Sequence, residues 1–392
     1  MNDSLDEFVT FNDLELSNES LDLEIDLEKN NISLFLEKNC DEIRKQFYEL
    51  ETPKDVANLL NVPYKRLVYH LYKVSSSQKY IAFEIPKKSS GSRIIHAPAT
   101  ALKIIQRKLS QVLYCVYKTK PSVYGFAPNR NVVKNAQIHV KKRYVLNIDL
   151  KDFFSSINFG RVRGMFMGKP YNLNPTVATV LAQICCHENK LPQGAPSSPI
   201  VTNMICGKMD SQLQQLSKNH KCTYYTRYAD DITFSTTLRE FPTDIACKTK
   251  ESGEDKLALG QDLISIITGN GFEINDRKVR FQTKNSRQEV TGLTVNKFPN
   301  VSRSYIRNIR AILHYWQTFG LDSAEAMYRK KNDTKSRRLG KPIPLKQILR
   351  GKIEFIGAVR GKESPIYIKY MEQYYSLLRA ESNRTNQLTL PL

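Results

Sequence analysis

Several things are scarce in this chain, and each scarcity closes off a class. There is one Trp in 392 residues and only six His. The seven Cys are an odd number, with no Cys-x-x-Cys pair and no Cys/His cluster at ligand spacing. That pattern argues against structural zinc and predicts a reduced, cytoplasmic protein. Cys185 and Cys186 adjoin inside an apolar run and read as core. No apolar run approaches the roughly 18 residues a bilayer-spanning helix needs, so no membrane partner is expected. No stretch repeats another. Residues 1–28 contain no Lys or Arg and ten acids, a start without the basic end of a signal peptide.

What is abundant is positive charge. The net charge is +20, and because the first 28 residues are wholly acidic the remainder carries +30. A basic body of this kind points to a polyanion, with nucleic acid ahead of an acidic membrane surface. The length allows a large core and two or three subdomains. The acidic arm (1–30) alternates acids with Leu and Ile, as a solvated tail or as a strip that shields a basic groove.

From Ile32 to Lys73 the apolar spacing is helical, broken at Pro53 and Pro63. Tyr80–Pro98 reads strand, Gly/Ser turn, strand, with Lys87, Lys88 and Arg93 at its tip. These cations are either solvated or positioned to close over a triphosphate. Residues 99–118 form an amphipathic helix. The apolar run Tyr144–Ile148 then ends on Asp149, a carboxylate at the end of a buried strand. Further helix is expected over 163–189, 257–269 and Ser302–Phe319, and through the last 50 residues, with 236–256 a charged excursion and Lys330–Lys341 a basic linker. Three prolines and a Gly rigidify Leu191–Pro199.

Thr223–Ser235 has strand composition on both arms, interrupted by Ala229, Asp230 and Asp231. Two adjacent acids at a tight turn repel one another. An ordinary Asp turn and a divalent-metal site both satisfy the pattern.

Taken together, Asp149 with the following Asp-Phe-Phe, Leu191-Pro-Gln-Gly194 with Ser197-Ser-Pro199, Tyr228-Ala-Asp-Asp231, Gly271-Phe with Lys278, and Val290-Thr-Gly292 resemble a reverse transcriptase. The resemblance covers about residues 80–320. Asn135-Ala-x-x-His139 and Val290-Thr-Gly292 resemble the signatures of the bacterial retron type, while Tyr124 departs from the His that many relatives carry before Gly-Phe.

The resemblance implies an α+β right-hand polymerase. Fingers and palm with an antiparallel sheet would occupy 80–300, following a helical region at 31–79, with an α-helical thumb and C-terminal region at 301–392. It implies two Mg²⁺ ions, replaceable by Mn²⁺, held at Asp149, Leu150, Asp230 and Asp231, with the three acids catalytic. Lys87, Arg93, Phe153, Phe154, Gln193 and Lys278 would bind dNTP, Phe154 as steric gate and Phe153 or Phe154 as core. Tyr228 would meet the primer. Asn135, His139, Val290, Thr291, Gly292, Arg303, Arg307 and Arg310 would face RNA or primer-template, unless they are structural or simply solvated.

The implied activity is copying a cognate noncoding RNA into single-stranded DNA from an internal guanosine 2′-hydroxyl. The implied role is antiphage defence with an effector protein encoded nearby. A reverse transcriptase that makes no 2′,5′ branch, or a non-catalytic RNA-binding scaffold, stands as the alternative.

Overall fold

The computed structural model describes residues 33–86, 91–251, 254–332 and 343–388. The acidic arm, Lys87, Lys88 and most of the basic linker lie outside these. Two compact units emerge, one comprising 1–131, 147–234 and 240–280, the other 132–146, 235–239 and 281–392.

The first unit opens with helices α1 (Cys40–Tyr48), α2 (Pro53–Leu59), α3 (Tyr64–Val68), a π-helical turn (Tyr69–Lys73) and α4 (Ser76–Lys79). Their starts follow from the sequence. The Asn39 side chain accepts from the backbone N–H of Asp41 and Glu42, and Thr52 and Asp55 form a reciprocal capping box with Pro53 in the first turn. Strands β1 (Tyr80–Pro86) and β2 (Ser92–Pro98) pair antiparallel, Tyr80 opposite Pro98.

Helix α5 (Thr100–Val116) is the post against which the N-terminal helices rest. Gln111 both accepts from Leu36 N (2.8 Å) and donates to Leu36 O (2.9 Å), and buried Lys108 donates to Asn61 O at 3.0 Å. Cys40 and Cys115 are joined as a disulfide here, which corrects the expectation of a fully reduced chain. The partners are 75 residues apart, and only the packing of α1 on α5 brings their Cα atoms to 5.1 Å.

The helical expectation over 163–189 resolves into α7 (Phe159–Met167) and α8 (Pro175–Cys185). Between them Gly168 closes one helix and Asn174 caps the next. Helices α9 (Ser198–Ile205) and α10 (Gly207–Lys218) precede β4 (Thr223–Tyr228) and β5 (Asp231–Thr236). The 236–256 excursion contains β6 (Ala246–Glu251), paired antiparallel with β7 (Glu254–Leu259). The helix expected from 257 therefore starts later, as α11 (Gln261–Gly269). Leu257 and Leu259 are too short a run to separate strand from helix by periodicity.

The second unit contains α6 (Val132–Ile138), a two-residue hairpin of β9 (Glu289–Val290) and β10 (Leu293–Thr294), and helices α12 (Arg303–Phe319), α13 (Leu321–Asn332), α14 (Leu345–Arg360) and α15 (Pro365–Leu388). Trp316, Ile309, Ile312 and Leu313 from one face of α12 pack with Leu349, Ile353 and Ile356 of α14 and Tyr374 of α15. Each such buried side chain contributes about 1.5–3 kcal/mol, so this cluster accounts for the order of the helical end of the chain. The remaining strands, β3 (Tyr144–Asp149) and β8 (Arg280–Thr283), complete a four-stranded sheet of order β4-β5-β3-β8.

Candidate active site

Strand β3 is buried from Val145 through Asp149, and it delivers Asp149, 7% exposed, at its end. The neighbouring β4–β5 connection delivers Asp230 and Asp231. The two stretches are fastened directly, Leu150 N donating to Asp230 O at 3.0 Å. Burial foremost raises the pKa of Asp230, with Asp149 adding to the rise and Lys278 and Arg93 opposing it. Burial, then Asp230, then Asp149 push Asp231 up to about 7, against the pull of Arg280 and Lys278. Asp149 therefore lies near enough to oppose ionisation of both neighbours, and the three carboxylates carry more negative charge than the site can comfortably hold.

Lys278 answers part of that deficit. Its Nζ donates to both Asp149 oxygens, at 2.9 and 2.8 Å, and Asn275 donates to Oδ1 at 3.1 Å. Among the described residues no set of three or more His, Cys, Asp or Glu encloses a point where an ion would sit. The donor chemistry nevertheless fits a hard divalent cation: three carboxylates, all oxygen, under mutual repulsion.

The turn that carries Asp230 is held from behind by a network that sequence reasoning missed. Arg227, fully buried, donates from Nε and from a terminal nitrogen to the two oxygens of Asp210, both at 2.7 Å. It also donates to Ala229 O at 2.9 Å and to Asn203 Oδ1 at 3.1 Å. Tyr225 adds a hydroxyl bond to Asp210 at 2.7 Å, and Asn203 reaches Gly125 O and Phe126 O at 3.0 Å each. A Cβ on Gly125 would lie 2.3 Å from Ala229 N, so only glycine lets the 125 loop back this turn. An Arg inside an otherwise strand-like run, with an Asp 17 residues earlier, was the available signal.

Arg93 is exposed on β2, with its charge felt at Asp230. The backbone of Gln193 accepts from His96 N at 3.0 Å, tying the proline-rich loop to the same hairpin. Phe153 is core, stacked on Phe272 at 5.6 Å, whereas Phe154 is half-buried beside Phe126. Tyr228 is half-buried at the end of β4.

In the second unit Asn135 and His139 are 1% and 0% exposed. His139 Nδ1 meets Ser235 Oγ at 2.7 Å, and burial together with the Lys142 charge lowers its pKa to about 3. Val290 is buried, and Thr291 and Gly292, with φ of 45° and 83°, make the β9–β10 turn. Asn135 Nδ2 donates to Thr291 Oγ1 at 3.4 Å, so the two stretches singled out as retron-like touch each other. Arg303, Arg307 and Arg310 line one exposed face of α12.

Residues 85–295 match the family model described as reverse transcriptase (RNA-dependent DNA polymerase). Among curated relatives, the retron Mx65 reverse transcriptase of Myxococcus xanthus is 35% identical over 60% of this chain and 55% of its own length. The retron Ec86 reverse transcriptase of Escherichia coli is 33% identical over 60% of this chain and 70% of its own. The chain thus spans little more than half the length of the first of these. A telomerase structure from Candida albicans, in complex with a fragment of telomeric RNA, overlays at a TM-score of 0.41 and 10% identity, covering 77% of this chain and 63% of that one. That likeness is too loose to weigh. With more than half of its residues inside the family model and its carboxylates on adjacent strands, the chain belongs to the reverse transcriptase family, of right-hand polymerase fold, and within it to the retron type.

Proposed function

We propose that this chain is an RNA-directed DNA polymerase that copies a structured noncoding RNA into single-stranded DNA, with Asp149, Asp230 and Asp231 as its catalytic carboxylates. The convergence of these acids carries the reading, because Asp149 opposes ionisation of both its neighbours. A protein has little reason to crowd three carboxylates unless a cation relieves them.

Mg²⁺, with Mn²⁺ as substitute, is the ion such oxygens select. Asp149 and Asp230 would hold it, with the Leu150 backbone beside them and Asp231 supporting. When bound, two such ions supply Lewis acidity at the primer hydroxyl and the departing pyrophosphate. The side chains do the rest. Arg93, Lys87 and Lys278 offset phosphate charge. Gln193 borders the sugar pocket. Phe154, half-buried, leaves no room for a 2′-hydroxyl and selects dNTPs. Tyr228 supports the primer end. Residues 80–300 serve as fingers and palm and 301–392 as thumb, where Arg303, Arg307 and Arg310 face duplex phosphates.

The retron type adds finer expectations: priming from an internal guanosine 2′-hydroxyl, and antiphage defence with a separately encoded effector. Purified protein given primed poly(rA), dTTP and Mg²⁺ should extend the primer, and Asp230→Asn should not. Nucleic acid recovered from a host carrying the intact locus should yield a branched RNA–DNA molecule that a 2′,5′-debranching enzyme opens. Primer extension without any debranching-sensitive product would keep the polymerase and reject the branched-priming reading.

A further inference from the structure

The second unit contains a cleft of about 350 Å³ lined by Lys141, Lys142, Arg143, Lys284, Thr237 and the amides of Gln288 and Asn296. None of the three carboxylates lines it, nor does any other acid. Among the described residues the side chains of Lys141, Arg143 and Lys284 have no ion-pair partner.

The walls are built by backbone bonds. Lys141 N donates to Val295 O (3.1 Å), Arg143 N to Thr236 O (2.9 Å) and Lys284 N to Arg143 O (2.8 Å). Gln288, 1% exposed, donates from its side-chain amide to Lys142 O at 3.1 Å and from its backbone N–H to Asn296 Oδ1 at 2.9 Å. Lys141 is held at a φ of 57°, a conformation non-glycine residues seldom adopt. These bonds hold the backbones of Lys141, Arg143 and Lys284 together around the cleft, and three cations brought to one place without an acid in the lining fit a phosphate-bearing ligand.

The two retron-like stretches adjoin this cleft along the chain. Asn135–His139 leads directly into Lys141–Arg143, and Lys284–Gln288 leads directly into Val290–Gly292. Asn135 and His139 are too buried to reach a ligand from outside, and their partners are Thr291 and Ser235. We infer that the cleft is a second nucleic-acid site, binding backbone phosphates of an RNA through Lys141, Arg143 and Lys284. The Asn135–His139 and Val290–Gly292 stretches are its frame. This rests on the RNA-copying reading above but concerns a different surface.

The test is RNA binding by the full chain without dNTPs, so that it does not depend on polymerisation. Failure of the polymerase reading would show separately, as a wild-type protein that extends no primer. A fluorescent RNA stem-loop is titrated across salt against wild type, Arg143→Gln/Lys284→Gln, and a charge-matched control, Lys208→Gln/Lys218→Gln, whose residues are exposed in the first unit. A further variant, Thr237→Glu, places a negative charge in the cleft without removing a cation.

The cleft double variant and Thr237→Glu should each bind at least about fivefold more weakly than the control. The log–log salt slope of the double variant should fall by about one per lost phosphate contact. Equal affinities and slopes for cleft and control variants would overturn the proposal. Inorganic tripolyphosphate is the competing arm. If it binds in a cleft-dependent way while the stem-loop does not, the ligand is a free phosphate compound and the RNA assignment fails.

Discussion

Asp231 is held at the edge of ionisation, its pKa pushed up to about 7 by burial and by Asp230 and Asp149. Removing its charge should cost activity while sparing the fold. Asp231→Asn is expected to lose about 10³-fold or more in dNTP incorporation, the scale of several kcal/mol of charge stabilisation. Without added metal it should melt no lower than wild type, since one repulsive charge is gone. A variant that is both inactive and clearly less stable would make Asp231 a structural residue. Phe154→Ala should admit NTPs, read as a smaller ratio of dNTP to NTP incorporation. An unchanged ratio would remove the gate role from this half-buried ring.

His139 stays neutral well below the pH at which an ordinary histidine takes up its proton. Its folded pKa of about 3 lies below the ordinary 6.5, so the unfolded chain takes up a proton that the folded chain refuses. Stability from this group is complete above about 6.5 and is lost as pH falls towards 3, by at most about 1.4 kcal/mol per pH unit. Trp316, the chain's one tryptophan, is buried in the same unit, so its fluorescence in urea reports the effect. His139→Gln should flatten the acid slope between pH 6 and 4 relative to wild type, each measured as a urea midpoint. Parallel slopes would mean that other groups dominate.

At the scale of elements, the hairpin that carries Asp230 and Asp231 is only as well placed as the network behind it. Gly125→Ala would put a methyl carbon 2.3 Å from Ala229 N, and the turn bearing Asp230 must shift to relieve the contact. Displacements near 1 Å cost on the order of 10²-fold in rate. Primer extension by Gly125→Ala should fall by roughly that factor, and wild-type rates would show that the turn tolerates movement. Arg227→Met should cost about 3–5 kcal/mol by leaving Asp210 buried and unpaired.

This network also marks the limit of what the sequence discloses. Asp149 was legible because an apolar strand must end somewhere, and Asp230 with Asp231 because adjacent acids are conspicuous. The helices at 100–116 and 303–319 were legible from their apolar period. Arg227 and Asp210 were not, since their pairing exists only once α10 packs beside β4. Neither was Asn275, which meets Asp149 across 126 residues of chain. The disulfide between Cys40 and Cys115, 75 residues apart, shares that dependence on tertiary contact, which leaves no local period or spacing to read.

For the molecule as a whole, charge is divided as sharply as structure. The ten acids of residues 1–28 are set against a remainder of +30. RNA and the acidic arm are both polyanions, and whatever conformation the arm adopts, its charge opposes the attraction of RNA to the basic body. The opposition is electrostatic, with a reach of about 10 Å at 0.1 M salt. A chain lacking residues 1–28 should therefore bind a stem-loop RNA several-fold more tightly than the full chain at low ionic strength. The advantage should shrink as salt rises and vanish once the Debye length is about 3 Å, near 1 M. Arg143→Gln/Lys284→Gln in the truncated chain would then separate two contributions: the arm's general field, which salt erases for any probe, and the cleft's local contacts, which set the slope. Equal binding by full and truncated chains across the whole salt range would mean the arm's charge never bears on the RNA-binding surface.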